Sequence, residues 1–276
     1  MMNPGELHIA AIQTALHWEN PDANRRHFSA IMREIAANED EIKPNLIALP
    51  EMFSTGFSMA PERLAEMPGG PTTQWMQEQA SLHNAVITGS LIIKEDNKYY
   101  NRLLWVSPGG EVKHYNKRHL FRMGGEDKHY TAGNQKLIVE LNGFKICPLV
   151  CYDLRFPVWS RNRFTKNEQG NLTADYEILI YVANWPEARS FQWETLLRAR
   201  AIENQCYVIG VNRIGNDGKN IAHDGRSLLL NFKGENMHYY EYNVPQVVRQ
   251  TFDLNNLEQF RINFSAGLDA DAFELI

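Results

Sequence analysis

Two stretches of the chain, residues 177–183 (Glu-Ile-Leu-Ile-Tyr-Val-Ala) and 207–214 (Tyr-Val-Ile-Gly-Val-Asn-Arg-Ile), are almost wholly apolar. Strands of that composition are buried on both faces, so layers must lie above and below the sheet they form. Between them, residues 191–204 place Trp193, Leu196, Leu197 and Ala201 on one helical stripe, with Glu194, Arg198 and Glu203 elsewhere around the cylinder. The order is strand, covering helix, strand. The same rhythm opens the chain, with a strand predicted over residues 7–15, a helix over 23–37 and a strand over 45–49. A helix over 73–83 follows, then strands over 86–94, 99–106 and 112–116, the last two joined by the turn Pro108-Gly109-Gly110. Beyond a polar loop at 123–133, strands are predicted over 136–141 and 145–150, a helix from Arg155, and a strand over 227–232.

Neither a 20–50-residue repeat nor a Pro/Gly/Ser linker interrupts this pattern, which reads as one α/β domain spanning residues 1–276. Residues 165–175 read as a surface insertion. Residues 254–276 read as a C-terminal tail that packs on something already folded, its own domain or a partner subunit. With 43% hydrophobic and 22% charged residues, the chain has the composition of an ordinary folded protein. Its net charge of -5 leaves no basic surplus for nucleic acid or an anionic membrane, so neither is an expected partner. No apolar run approaches a bilayer span and no secretory leader is evident at the N-terminus, so a cytoplasmic location is expected. Three cysteines, Cys147, Cys151 and Cys206, are too few and odd in number for a disulfide scaffold.

Three polar residues stand at strand ends, two of them after apolar strands. Cys151 follows the run ending Pro148-Leu149-Val150 and opens Cys151-Tyr152-Asp153-Leu154-Arg155-Phe156-Pro157. That strand edge is where α/β sheets bind ligands, and a helix N-terminus there would lower the thiol pKa. The alternative is a plain core cysteine, the reading given to Cys147 and Cys206. Glu51 ends Asn45-Leu46-Ile47-Ala48-Leu49-Pro50-Glu51, where Pro50 stops the ladder. A carboxylate in that position can take a thiol proton and return it to a leaving amine, or can simply cap a turn. Lys117, in Tyr115-Asn116-Lys117-Arg118-His119-Leu120-Phe121, is either solvated or a fixed positive charge for an oxyanion. The nine histidines show no metal-binding spacing, and no G-x-G-x-x-G, P-loop or G-x-S-x-G motif occurs, so neither a metal nor a cofactor is implied.

Taken in order, Leu49-Pro50-Glu51, the Lys117 segment and the Cys151 segment resemble the glutamate, lysine and cysteine motifs of the nitrilase superfamily. Further matches run from Ile9-Ala10-Ala11-Ile12-Gln13 through Ala183-Asn184-Trp185-Pro186 to His223-Asp224-Gly225-Arg226-Ser227, covering the chain up to Gly234. The resemblance implies a four-layer αββα sandwich and at least a homodimer, with the helix after the cysteine and the helix at 191–204 at the interface. It implies catalysis by Glu51, Lys117 and Cys151, with Glu126 as a second glutamate orienting the lysine and Asp127 as the fallback. Within the superfamily, Cys-Tyr-Asp-Leu-Arg-Phe, His-Leu-Phe-Arg-Met-Gly-Gly-Glu and Ala-Asn-Trp-Pro are most similar to the omega-amidase branch, which hydrolyses keto-acid monoamides through a Cys thioester. Tyr152, Arg155, Asn184 and Trp185 are then expected around the substrate. The Arg155 fork suits a distant carboxylate, unless Asp153 or another acid beside it claims the guanidinium. An N-carbamoyl-amine hydrolase or a nitrilase would share the triad, and a silent binding protein could share the scaffold.

Overall fold

The computed structural model describes residues 5–38, 40–168, 172–238 and 241–274. Its first half runs β1 (Glu6–Gln13), α1 (Pro21–Ala37), β2 (Leu46–Ala48), α2 (Pro61–Leu64), α3 (Pro71–His83), β3 (Val86–Glu95), β4 (Lys98–Val106) and β5 (Val112–Asn116). The second half continues with β6 (Val139–Leu141), β7 (Phe144–Val150), α4 (Pro157–Ser160), β8 (Phe164–Lys166), β9 (Leu172–Ala174), β10 (Ile178–Val182), α5 (Ser190–Glu203) and β11 (Tyr207–Val211). It closes with β12 (Ile214–Asn216), β13 (Ala222–Asp224), β14 (Leu228–Leu230), β15 (Gln246–Asp253) and α6 (Leu254–Asn263). Two main sheets result, one in the order β15-β1-β2-β3-β4-β5 and the other β14-β11-β10-β7-β6.

Alternation along each strand explains the layering. Leu7, Ile9 and Ala11 of β1, Leu46 and Ala48 of β2, and Leu103 and Trp105 of β4 point into a core shared with Ile146, Leu149, Ile178 and Ile180 of the second sheet. The residues between them, Ala10, Ile12, Ile47, Leu104 and Val106, point the other way, onto Phe28, Met32 and Ile35 of α1 and Trp75, Met76 and Ala80 of α3. Both faces of the sheet are therefore dry, and each such side chain contributes about 1.5–3 kcal/mol by leaving water. On the far side of the second sheet, α5 buries Trp193, Leu197 and Ala201. A Cβ on Gly210 of β11 would lie 2.5 Å from Leu197 Cδ1, so the helix sits this close only because that position has no side chain. The architecture is the four-layer αββα sandwich that the resemblance implied.

Caps set the helix limits. The Asn20 side chain accepts from Ala23 N ahead of Pro21 in α1, and Asn84 ends α3 in the left-handed conformation. Three expectations are corrected. The helix expected from Arg155 is a 3-10 turn over Cys151–Arg155 followed by the single turn of α4, because Pro157 has no N–H to continue the ladder. The strand expected over 136–141 is ordered as β6 only at Val139–Leu141. Residues 246–253, given no element from sequence, form edge strand β15, fully paired with β1 from Glu6↔Asp253 to Gln13↔Gln246. The insertion at 165–175 carries the end of β8 and all of β9, its residues 169–171 lying outside the described residues.

The tail packs on its own chain. Asp253 caps α6 by accepting from Asn255 N, and Leu257 enters the shared core. Arg261 donates to the Gln205 and Tyr176 carbonyls at 2.9 Å and to Glu177 at 3.3 Å. Tyr176 and Glu177 precede β10, so α6 covers the amino-terminal ends of those strands. Residues 275–276 of the tail lie outside the described residues.

Candidate active site

At the opposite, carboxyl ends of the strands the polar residues converge. In the first sheet β1, β2 and β3 are parallel, and in the second β7, β10 and β11 are parallel. Glu51 lies just past β2, Lys117 just past β5, Cys151 just past β7 and Asn184 just past β10. Because β5 returns antiparallel to β4, which is itself antiparallel to β3, its end reaches the same edge as β2. Residues 66 and 100 positions apart in sequence are thereby placed around one cavity without any local motif joining them.

Lys117 is the centre of a buried ionic cluster. Its Nζ donates to Glu51 Oε1 at 2.8 Å and to both Glu126 oxygens, at 3.1 and 2.9 Å. All three side chains are fully buried. Asn101 Nδ2 donates to Glu51 at 2.8 Å and to Glu126 at 3.0 Å, bridging the two carboxylates. The backbone N–H groups of Phe121 and Asn184 complete them, donating to Glu126 Oε2 at 2.6 Å and Glu51 Oε2 at 2.9 Å. Burial would discharge Lys117, but Glu126 and Glu51 outweigh it and hold the ammonium more basic than usual. Burial, opposed by Lys117 and reinforced by Glu51, raises the Glu126 carboxyl. Asp127, the fallback for Glu126, faces solvent.

Close backbone packing holds Lys117 in place. Gly133 N donates to the Lys117 carbonyl at 2.9 Å, and a Cβ on Gly133 would fall 2.2 Å from the Asn116 carbonyl oxygen. No ordinary contact is that short, so Gly133→Ala must push the loop off the strand that delivers the lysine. The expected cost is about 1–3 kcal/mol, as for other overpacked sites. Urea unfolding would reveal it, and an unchanged midpoint would show that the loop shifts freely.

Cys151 occupies a sharp turn. Its φ is +42°, rare for a residue with a side chain, and Met52 beside Glu51 has the same value. The turn is braced by Asp153, which accepts from Val150 N at 3.1 Å, Tyr115 OH at 2.8 Å and His119 N at 3.0 Å, with His119 Nδ1 2.8 Å away. Cys151 as a residue is 9% exposed, and it lines the cavity. Here the expectation of a lowered thiol pKa is corrected. Burial first, and then the negative Glu51, raise it well above the usual thiol range despite Lys117, and a five-residue 3-10 turn offers little dipole to oppose them. Cys147 and Cys206 are core residues, as expected, and burial pushes the Cys147 thiol up to about 12.

The cavity in front of the sulfur is small, about 80 Å³, and is walled by Phe57, Phe121, Tyr152 and Trp185. Tyr152, Arg155, Asn184 and Trp185 all line it, as anticipated. Asn184 has a second task, since its amide also donates to the Glu51 carbonyl. Arg155 is not claimed by Asp153, whose oxygens are taken up as above. Its guanidinium lies 5.0 Å from the centre of the Trp185 ring and has no carboxylate partner among the described residues. Sequence reading missed Asn101, a polar residue inside an apolar strand, and Arg189, which also lines the cavity. Asn101 was signalled only by that incongruity, and Arg189 by nothing local.

A buried thiol beside a carboxylate, an ammonium and a second carboxylate, at the mouth of an αββα sandwich, defines a cysteine hydrolase acting on carbon–nitrogen bonds. Residues 8–262 match the carbon-nitrogen hydrolase family model, and the chain belongs to that family. It is 43% identical to the omega-amidase YafV of Escherichia coli K12, over 99% of each chain. To the 2-oxoglutaramate amidase of Bacillus subtilis it is 30% identical, over 80% of this chain and 82% of that one. Among solved structures, a CN-hydrolase superfamily protein of Xanthomonas campestris with an arsenic adduct in its active site superposes with a TM-score of 0.91. That protein is 42% identical and is covered in full by 99% of this chain.

Proposed function

We propose that the protein is an omega-amidase that hydrolyses the terminal amide of small keto-acid monoamides, such as 2-oxoglutaramate and 2-oxosuccinamate, to the acid and ammonia. The observation that carries this reading is the Arg155 guanidinium, lining the cavity of the Cys151 thiol with no carboxylate partner among the described residues. A half-buried cation without a counter-ion is a ready partner for a ligand that supplies one. A fork that accepts a carboxylate in bidentate fashion matches an anionic substrate. The similarity to an omega-amidase and to a 2-oxoglutaramate amidase supports the same assignment.

In this mechanism Glu51 takes the Cys151 proton as the sulfur attacks the amide carbon, since a thiol held this far above the usual range is protonated at rest. The oxyanion is met by Lys117 and by the Tyr152 N–H, which lies in a first turn where no intrahelical acceptor exists. Glu51 returns the proton to the nitrogen, ammonia leaves, and a thioester remains. Glu51 then takes a proton from water as its oxygen attacks the thioester, and the departing sulfur is reprotonated as the acid is released. Glu126 holds Lys117 in position throughout, and Asn184 fixes Glu51.

We also read the chain as a single catalytic domain, cytoplasmic, and a homodimer. Val158 on α4 and Phe191 and Ile202 on α5 are 50%, 76% and 55% exposed, and they support an interface there. Sedimentation would test it, a monomer at micromolar concentration counting against it. For the activity, ammonia release is measured with the two keto-acid monoamides, an N-carbamoylamine and a small nitrile. Turnover of the carbamoylamine or the nitrile with inert monoamides would overturn the assignment.

A further inference from the structure

Arg155 is not the only unpaired guanidinium in the cavity. Arg189, on the 3-10 turn Glu187–Arg189 that leads into α5, also lines it and also lacks a carboxylate partner among the described residues. Its guanidinium lies 5.3 Å from the centre of the Phe121 ring, while Arg155 lies against a different ring of the same cavity, Trp185. The turn is held rigidly, because the Trp185 indole N–H donates to the Arg189 carbonyl at 2.7 Å. One indole therefore carries Arg155 on its face and fixes the backbone of Arg189 with its edge. The two cations repel, and burial together with Arg155 lowers the Arg189 pKa, while the Cys151 and Tyr152 side chains oppose that shift.

Other groups facing the cavity do not neutralise the pair. Asp217 is turned into its own loop, accepting from Lys219 N at 2.8 Å and Ile221 N at 2.9 Å, and Lys219 adds a further positive charge. His223 is held uncharged by burial, its pKa lowered to about 4. Two guanidiniums held on separate aromatic rings of one cavity, neither with a carboxylate partner among the described residues, form a receptor for an anion with more than one acceptor oxygen.

We propose that Arg189 is a second substrate-binding residue, meeting the carboxylate or the adjacent keto oxygen together with Arg155, so that the cavity takes substrates whose far end is anionic and repels an ammonium. This deepens the omega-amidase reading and rests on it. An α-amino acid amide such as glutamine carries a positive charge at the carbon next to its carboxylate, where the pair of arginines would face it. A keto acid presents only oxygen there.

The test compares wild type, Arg189→Met and Arg189→Lys on 2-oxoglutaramate, glutamine and the neutral butyramide. For Arg189→Met the expected result is a KM for 2-oxoglutaramate raised roughly 10- to 100-fold, the range of a charge-assisted hydrogen bond, with kcat within a few-fold. Butyramide turnover should be unchanged, and the handicap of glutamine relative to the keto acid should shrink. Arg189→Lys should recover part of the KM, because it keeps the charge and loses the fork. A residue that only supports the turn would lower turnover of all three amides together, and that outcome overturns the proposal, as does a variant that keeps wild-type KM for the keto acid. If wild type itself shows no preference for 2-oxoglutaramate over butyramide, it is the omega-amidase reading that fails.

Discussion

Replacing Cys151 by alanine is expected to cut ammonia release from 2-oxoglutaramate by about 10⁴-fold or more, the scale seen when a covalent nucleophile is removed. No other thiol can substitute, because Cys147 and Cys206 are sealed in the core away from the cavity. Stability should change by no more than about 1 kcal/mol, since a buried neutral thiol is exchanged for a methyl group at the edge of an existing cavity. Mass spectrometry of acid-quenched reactions should find an acyl adduct on residue 151 of wild type and none on the variant. Retained turnover in Cys151→Ala, or an adduct on another residue, would remove the basis of the mechanism.

Lys117→Met should be damaging in a different way. The ammonium is the cation between Glu51 and Glu126, all three out of water, so its removal leaves two carboxylates sharing Asn101 with nothing to balance them. Breaking a buried ionic group by deleting one partner costs roughly 3–5 kcal/mol, which chemical denaturation would register directly. Activity should disappear as well, because the oxyanion loses its charge partner. A second change separates the two effects. Adding Glu126→Gln to Lys117→Met removes one of the opposed charges, and should restore part of the stability without restoring turnover. A Lys117→Met protein as stable as wild type would mean that the cluster does not carry the charges assigned to it.

How much of this was legible beforehand depended on the kind of signal. Strands buried on both faces announce themselves by composition, so β10 and β11 and the stripe of α5 were readable directly. Edge strand β15 was not, because its run Gln-Val-Val-Arg-Gln-Thr-Phe-Asp alternates only weakly. Val248 and Phe252 are its buried residues, and its order comes from the ladder β1 offers. The 3-10 turn after Cys151 was mistaken for a helix because the residues are helix-compatible, while Pro157 and the Asp153 brace decide otherwise. Position misled in one instance. Position at a strand end suggested an acidified thiol, whereas the enclosed sulfur next to Glu51 is held protonated.

Sequence alone determined which residues could do chemistry, since a thiol, a carboxylate and an amine each follow a strand that must end at the sheet edge. It also determined that the central strands are covered on both faces, because an unbroken apolar run is a local property that survives any arrangement of neighbours. Only the tertiary structure decided that Asn101 joins Glu51 to Glu126, that Asp153 braces the turn and leaves Arg155 open, and that Arg189 lines the same cavity. Those are contacts between side chains on different elements, whose partners are chosen by strand register and packing, and no stretch of neighbouring residues records them.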